Sequence, residues 1–271
     1  MKTIIIFGAN GLLGRYVSKY FRLKLYDVVE INRKDCDIRN TNKEKLNNLI
    51  NSVMGENECC IINCAGVIKQ KMNIYSIIDA ILVNSVFPWI LNEISVELGI
   101  KTIHISTDCV FTGNDGNYNE DSFHDADDIY GRTKSLGEPD NITVIRTSII
   151  GEELNGGPSL IEWVKSEDGN EINGFTNHVW NGITALEFAK ITEQIIENNL
   201  YWKGVKHIFS SESLTKLKLV NLIIKIFDLN INVLAMESGV FCDRSLSSKY
   251  EPLVFINNIE KQLDELKNFK S

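Results

Sequence analysis

Tyr130 and Lys134 stand four residues apart in "YGRTKSLGE", and Thr107 lies about two dozen residues earlier in "ISTDCVFTG". A spacing of four places a phenol and an ammonium on one face of a helix. A phenol of ordinary pKa, near ~10, is a poor proton donor or acceptor at neutral pH unless a cation stabilises its phenolate. An ammonium one turn away supplies that cation, and the Thr107 hydroxyl can hydrogen-bond a carbonyl oxygen set beside the phenol. The same stretch carries Cys109, a thiol two residues past Thr107. A Tyr-x-x-x-Lys pair is also an ordinary exposed helix pair, so its meaning depends on what the chain sets around it.

The run "KTIIIFGANGLLGRYVSKYF" reads as a β-branched strand, then Gly8, Gly11 and Gly14, then an apolar helix. The first glycine permits the turn, the second a pyrophosphate close to the backbone, and the third close packing of helix on strand. The helix N-terminus attracts the phosphates. The next strand ends in Asn32-Arg33-Lys34 with no carboxylate at the place that selects NAD. Arg33 is therefore the candidate for the 2′-phosphate of NADPH, with Arg15 second; otherwise Arg33 is a solvated surface arginine. The apolar strand "CCIINCAGVI" ends in the small residues Ala65 and Gly66, as a backbone close under a ligand requires. A long apolar-periodic helix follows around residues 76–98, then the strand ending at Thr107. Strands alternating with helices predict an α/β fold with a doubly wound parallel sheet and ligands at its carboxyl edge.

The chain has 271 residues, 44% of them hydrophobic, enough for one large core without staples. Its net charge of −8 and lack of a basic block argue against nucleic acid. "MKTIIIFG" reads as a strand rather than a secretion signal, and no apolar run is expected to reach the ~20 residues of a membrane span. The six cysteines lack metal-ligand spacing, so reduced thiols, no metal site and a cytoplasmic protein are expected.

The motifs "GANGLLG", "DCDIRN", "INCAGVI", "VNSVFP", "ISTDCVFTG", "YNEDS" and "YGRTKSLGE" occur in an order similar to that of the extended short-chain dehydrogenase/reductases. They most resemble the dTDP-4-dehydrorhamnose reductase family. The resemblance covers the first 150 residues. It implies a Rossmann-like NADP-binding domain over residues 1–150, joined by a returning helix near residues 184–199. A smaller, discontinuous substrate-binding lobe would occupy most of residues 151–271. It also implies a catalytic trio of Thr107, Tyr130 and Lys134, with Lys134 holding the nicotinamide ribose. Asp37 and Ile38 are placed at the adenine, Ala65 and Gly66 near the ribose, and Asn84 on the central helix, where an asparagine is also commonly structural. The implied reaction is reduction of a nucleotide-sugar 4-ketone by NADPH, with a homodimer as one compatible assembly.

In the less regular second half, Asn177, Trp180 and Asn181 of "GFTNHVWNGIT" are candidates for a sugar pocket, or pack loops. Arg244 of "CDRSLSS" is a candidate for the substrate diphosphate, or bridges lobe and C-terminal segment. Together with "RTSIIGEELN", these runs resemble a subgroup acting on UDP-linked 4-keto-6-deoxy-N-acetylhexosamines, as in N-acetyl-L-rhamnosamine formation. Plain dTDP-4-dehydrorhamnose reduction is the alternative. Cys109 stands where epimerase-reductases making GDP-fucose and UDP-rhamnose have cysteine, which implies C3 epimerisation before reduction; a small buried apolar residue is the competing reading. The GDP-fucose enzymes use a lobe-helix histidine as the second acid. "GPSLIEWVKS" has none, leaving His178 and Lys165 as candidates by position in sequence. A non-catalytic binding subunit, like the relative that regulates methionine adenosyltransferase, is a reading from another class; an intact trio argues against it.

Overall fold

The computed structural model describes residues 2–55, 58–153 and 157–269. β1 (Thr3–Phe7) is wholly buried, as a central strand covered on both faces must be. The glycine turn leads into α1 (Leu12–Leu23), and β2 (Asp27–Ile31), α2 (Lys43–Met54) and β3 (Cys59–Asn63) continue the alternation. One continuous helical stretch follows: α3 (Ile77–Ile81), a π-helical turn over Leu82–Val86, and α4 (Phe87–Leu98). Next come β4 (Lys101–Thr107), α5 (Ile129–Leu136), β5 (Thr143–Thr147) and β6 (Ile149–Ile150). The second half adds α6 (Leu160–Ser166), β7 (Glu171–Phe175), β8 (His178–Trp180), β9 (Ile183–Thr184), α7 (Ala185–Glu197) and β10 (Gly204–His207). It ends with β11 (Leu214–Thr215), α8 (Lys216–Phe227), β12 (Asn232–Met236), β13 (Cys242–Asp243) and α9 (Ile259–Phe269).

The main sheet has six strands in the order β10-β5-β4-β3-β1-β2, all paired in parallel. From β1 the chain moves outward to β2 and then returns to β3 on β1's other side. The switch point, where a ligand crevice opens, therefore lies between β1 and β3. Alternate residues of β1 feed two cores. Ile4 and Ile6 join the core shared with Tyr16 and Phe21 of α1 and Phe188 of α7. Ile5 and Phe7 join Leu46, Ile50, Phe87 and Leu91 on the opposite face. Burying each such side chain stabilises the fold by roughly 1.5–3 kcal/mol.

The helix expected near residues 184–199 is α7, capped by Thr184, and it leads into β10 at the edge of the main sheet. The smaller sheets belong to the second half: β8 between β11 and β13, β7 beside β12, and β6 beside β9. Gln262 of α9 accepts the Thr184 amide (2.8 Å), and the buried Glu187 carboxylate accepts the Asn257 amide (2.8 Å), fastening the C-terminal segment under α7. Residues 77–98 are long and apolar enough, by length and composition, to cross a bilayer. This corrects the expectation that no run reaches that length. In this fold Phe87, Leu91 and Ile94 of the same helix are buried against the sheet.

Candidate active site

β4 ends at Thr107 on the carboxyl edge of the sheet, and a tight turn over Asp108–Val110 follows, with the Thr107 hydroxyl accepting the Cys109 amide (3.2 Å). α5 brings Tyr130 and Lys134 to this turn by close backbone approach. A methyl group at Gly131 would lie 2.3 Å from the Cys109 carbonyl oxygen, and one at Gly137 would lie 1.8 Å from that of Asn84. Only glycine lets the two ends of the catalytic segment seat so deeply. Asp128 caps α5 by accepting the Gly131 amide (2.8 Å), and its other oxygen accepts from Lys69 (2.6 Å) in the loop after β3.

Burial pushes the Tyr130 phenol above its ordinary pKa, and the nearby Cys109 and Asp108 push it further while the Thr107 hydroxyl opposes them. The proton therefore stays on the phenol, the form required of an acid. Lys134, one helical turn on, is 4% exposed and donates to the Ile105 carbonyl (2.8 Å). Desolvation pushes it down to about 8, with Glu138 opposing. Two of its three donors remain for a ligand.

The cofactor edge fits a dinucleotide. A methyl group at Gly8, whose φ is +76°, would lie 2.7 Å from Ala65 Cα, and one at Gly14 would lie 2.2 Å from the Gly8 carbonyl oxygen. The two strand ends thus meet with no side chain between them. Asn84, fully buried in the π-helical turn, accepts the Val67 amide (2.8 Å) and donates to the Val67 carbonyl (3.0 Å) and the Thr133 hydroxyl (3.1 Å). It fixes the loop of Ala65 and Gly66 against α5, a positioning role. Asn63 does the same from beneath, accepting the Ala65 amide (3.1 Å) and bonding His104 Nδ1 (3.0 Å).

Asp37 sits beside Ile38 at the start of a 3₁₀ turn, but both its oxygens are taken by Arg39, which holds the carboxyl down at about 2. Arg33 is exposed at the end of β2, donates to the Tyr75 hydroxyl (2.5 Å) and lies 5.5 Å from its ring centroid. Arg15 is half-buried, with Nε and Nη2 unpartnered among the described residues.

The lobe divides its candidates. Asn177 exchanges two hydrogen bonds with the Ser238 backbone (both 2.9 Å), and the buried Asn181 exchanges two with Leu246 (both 2.8 Å). Both amides are brackets that hold strands and loops together. Arg244 follows β13 directly and donates its amide to the Val179 carbonyl of β8 (3.3 Å), next to Trp180. Arg244 Nε donates to the Phe111 carbonyl (2.9 Å), and its charge acts on Cys109, Cys242 and Asp108.

Sequence reasoning missed Asp108 and Lys216. Asp108 is 4% exposed between Thr107 and Cys109, and burial raises its carboxyl against hydrogen bonds from Thr107, Cys109 and Ser148. Its place inside "STDCVF" was the available signal; Lys216 had none. The Cys109 thiol is pushed up to about 12 by burial, with Asp108 adding and Arg244 opposing. His178 is bonded to Ser238 (2.7 Å) and Lys165 is paired with Glu152 and Glu162, and neither is among the groups whose charge acts on the Cys109 thiol.

Behind the site, fully buried Arg146 binds Glu138 through Nε (2.9 Å) and Nη2 (2.5 Å). It donates to His124 and His207 (both 2.7 Å). Since arginine only donates, both facing imidazole nitrogens must be unprotonated. Burial and Arg146 accordingly push His207 down to about 4.

A doubly wound sheet, a glycine cradle at its switch point and a Thr-Tyr-Lys cluster on the same edge define a short-chain dehydrogenase/reductase of the extended type. The pattern of the RmlD substrate binding domain family matches residues 1–263, and the chain belongs to that family. Among its relatives, the dTDP-4-dehydrorhamnose reductase of Aggregatibacter actinomycetemcomitans is 28% identical over 76% of this chain and 73% of its own length. The methionine adenosyltransferase 2 subunit beta of Xenopus laevis is 24% identical over 79% of this chain and 69% of its own. In fold, the chain is similar to the dTDP-4-dehydrorhamnose reductase of Bacillus anthracis solved with NADP, with a TM-score of 0.81, 21% identity and 99% of each chain covered.

Proposed function

We propose that this protein reduces the 4-keto group of a nucleotide-activated 4-keto-6-deoxy sugar. The observation that carries this reading is the meeting of Thr107, protonated Tyr130 and buried Lys134 with a dinucleotide cradle on one sheet edge. The cofactor, NADPH, supplies the hydride that adds to the ketone carbon. Tyr130 gives its phenolic proton to the carbonyl oxygen as the alcohol forms. Thr107 hydrogen-bonds that oxygen and aims it at the phenol. Lys134, next to the phenolate left behind, stabilises it and offers its free donors to the nicotinamide ribose. Arg33 at the end of β2 and Arg15 at the glycine turn are the cations that favour NADPH over NADH.

Residues 1–150 with α7 and β10 form the cofactor domain in this reading, and most of residues 151–271 the substrate lobe. The substrate we favour is a UDP-linked 4-keto-6-deoxy-N-acetylhexosamine. Its support is the lobe sequence, with Arg244 close to Cys109 and Asp108 at the catalytic edge; Leu154 and Asn155 of "RTSIIGEELN" lie outside the described residues. dTDP-4-dehydrorhamnose remains the alternative.

C3 epimerisation by Cys109 is supported by its place beside Thr107 and by Arg244 as a nearby cation. Against it stand a thiol pushed up to about 12 and the engaged His178 and Lys165. Deuterium exchange at C3 without NADPH, compared between wild type and Cys109→Ser, tests it. A homodimer would cover the exposed Ile77, Ile78 and Trp89 of the long helix.

Reduction itself is tested by offering NADPH with 4-keto-6-deoxy sugars carrying UDP, dTDP or GDP and following the nicotinamide absorbance. Ketone-dependent oxidation separates an enzyme from a binding subunit, and the rates rank the bases.

A further inference from the structure

Lys216 opens α8 directly after β11, whose Thr215 pairs with Val179 of β8. On β8's other side Cys242 pairs with His178, so Lys216 and Cys242 approach the same end of that strand. The loop after β4 meets them there: a methyl group at Gly113 would lie 2.9 Å from Cys242 Sγ and 3.0 Å from Arg244 Cγ. Lys216 is half-buried, and among the described residues no hydrogen bond or ion pair holds its ammonium. The charges it senses are those of Asp108, next to catalytic Thr107, and Cys242. Arg244 commits only Nε, to Phe111, and faces the same Asp108 and Cys242.

The surroundings disfavour a lysine at this position. Partial burial strips an unpaired ammonium of part of its hydration, and the positive end of the α8 dipole repels it. Two cations buried close to the same edge are satisfied, Lys134 by Ile105 and Arg146 by Glu138. A bound anion would relieve both penalties at Lys216. We infer that Lys216 and Arg244 together seat the diphosphate of the nucleotide-sugar, Lys216 as a point charge and Arg244 through its free guanidinium edge. The inference rests on the ketoreductase reading: a sugar whose C4 lies at Tyr130 and Thr107 extends past Cys109 towards these two cations. The cofactor's own pyrophosphate belongs at the glycine turn, away from α8.

The test is calorimetric titration of wild type, Lys216→Met and Lys216→Arg with UDP and dTDP, with NADPH binding measured in parallel by fluorescence. Lys216→Met should bind the preferred nucleoside diphosphate roughly 10- to 100-fold more weakly, the loss of one charge-assisted contact. NADPH affinity should stay unchanged, and Lys216→Arg should recover most of the diphosphate affinity. Unchanged diphosphate affinity in Lys216→Met overturns the inference, as does a loss that extends to NADPH or that Lys216→Arg shares. A wild type that binds NADPH but neither UDP nor dTDP overturns the nucleotide-sugar reading, and this inference with it.

Discussion

The two sides of the cleft are built by different means. On the cofactor side, backbone meets backbone: Gly8 against Ala65, Gly14 against Gly8, and Gly131 and Gly137 against the Cys109 and Asn84 carbonyls. On the lobe side, side chains tie down irregular backbone: Asn177 to Ser238, Asn181 to Leu246, Arg244 to Phe111. Contacts of the first kind tolerate no added atom. Those of the second kind lose a hydrogen bond or two when altered and leave the remainder standing. A hydride acceptor must be placed to a fraction of an ångström, which suits the first construction, whereas substrates can be exchanged by altering the second.

This contrast is broken most severely at Gly137. Gly137→Ala places a methyl group 1.8 Å from the Asn84 carbonyl oxygen, so α5 must leave its seat. We expect a loss beyond about 4 kcal/mol, the range of severe core defects, read as failure to fold or a collapsed melting temperature. A melting point near wild type would show that α5 is not clamped there.

The pH dependence of stability sharpens the contrast at the buried lysine of the catalytic helix. Lys134 titrates at about 8 in the folded protein against 10.5 unfolded. Between these values the unfolded chain binds more protons, so stability should rise with pH by up to about 3 kcal/mol through this group. Denaturant midpoints at pH 8 and pH 10 measure the rise, and Lys134→Met should remove it. An identical rise in that variant would assign the effect elsewhere.

On the lobe side, Asn181→Ala deletes both bonds to Leu246 and should cost about 1–3 kcal/mol, with NADPH affinity unchanged. A loss of NADPH affinity would couple the two sides. The smallest effect is expected at Arg33. It is exposed and already engaged with Tyr75, so Arg33→Ala should weaken NADPH relative to NADH by only about 1 kcal/mol. Equal losses for both cofactors would remove Arg33 from 2′-phosphate recognition.

The same contrast decides what could be read in the sequence. Gly8, Gly11 and Gly14 sit at spacings dictated by local backbone geometry, and Tyr130 and Lys134 at the period of one helix. The glycine turn, the parallel sheet and the meeting of Thr107, Tyr130 and Lys134 on one edge were therefore legible. The roles of Asn177 and Asn181 were not, because an amide that brackets a loop and one that binds a sugar share the same composition. Lys216 was silent because tertiary pairing of β8 with β11 alone brings it towards Asp108. The surroundings of the pair were hidden for a related reason: spacing shows an ammonium near Tyr130, but only the fold reveals its bond to Ile105 and the burial of both groups.

The central claim is that Tyr130 delivers the proton in a ketone reduction. The direct test is NADPH oxidation with a 4-keto-6-deoxy nucleotide-sugar by wild type and Tyr130→Phe, with NADPH affinity measured for both. Wild type should turn over, and the variant should bind NADPH equally well yet react roughly 10²- to 10⁴-fold more slowly. A variant that keeps more than about a tenth of the wild-type rate, well above what loss of a positioned acid allows, would contradict the claim.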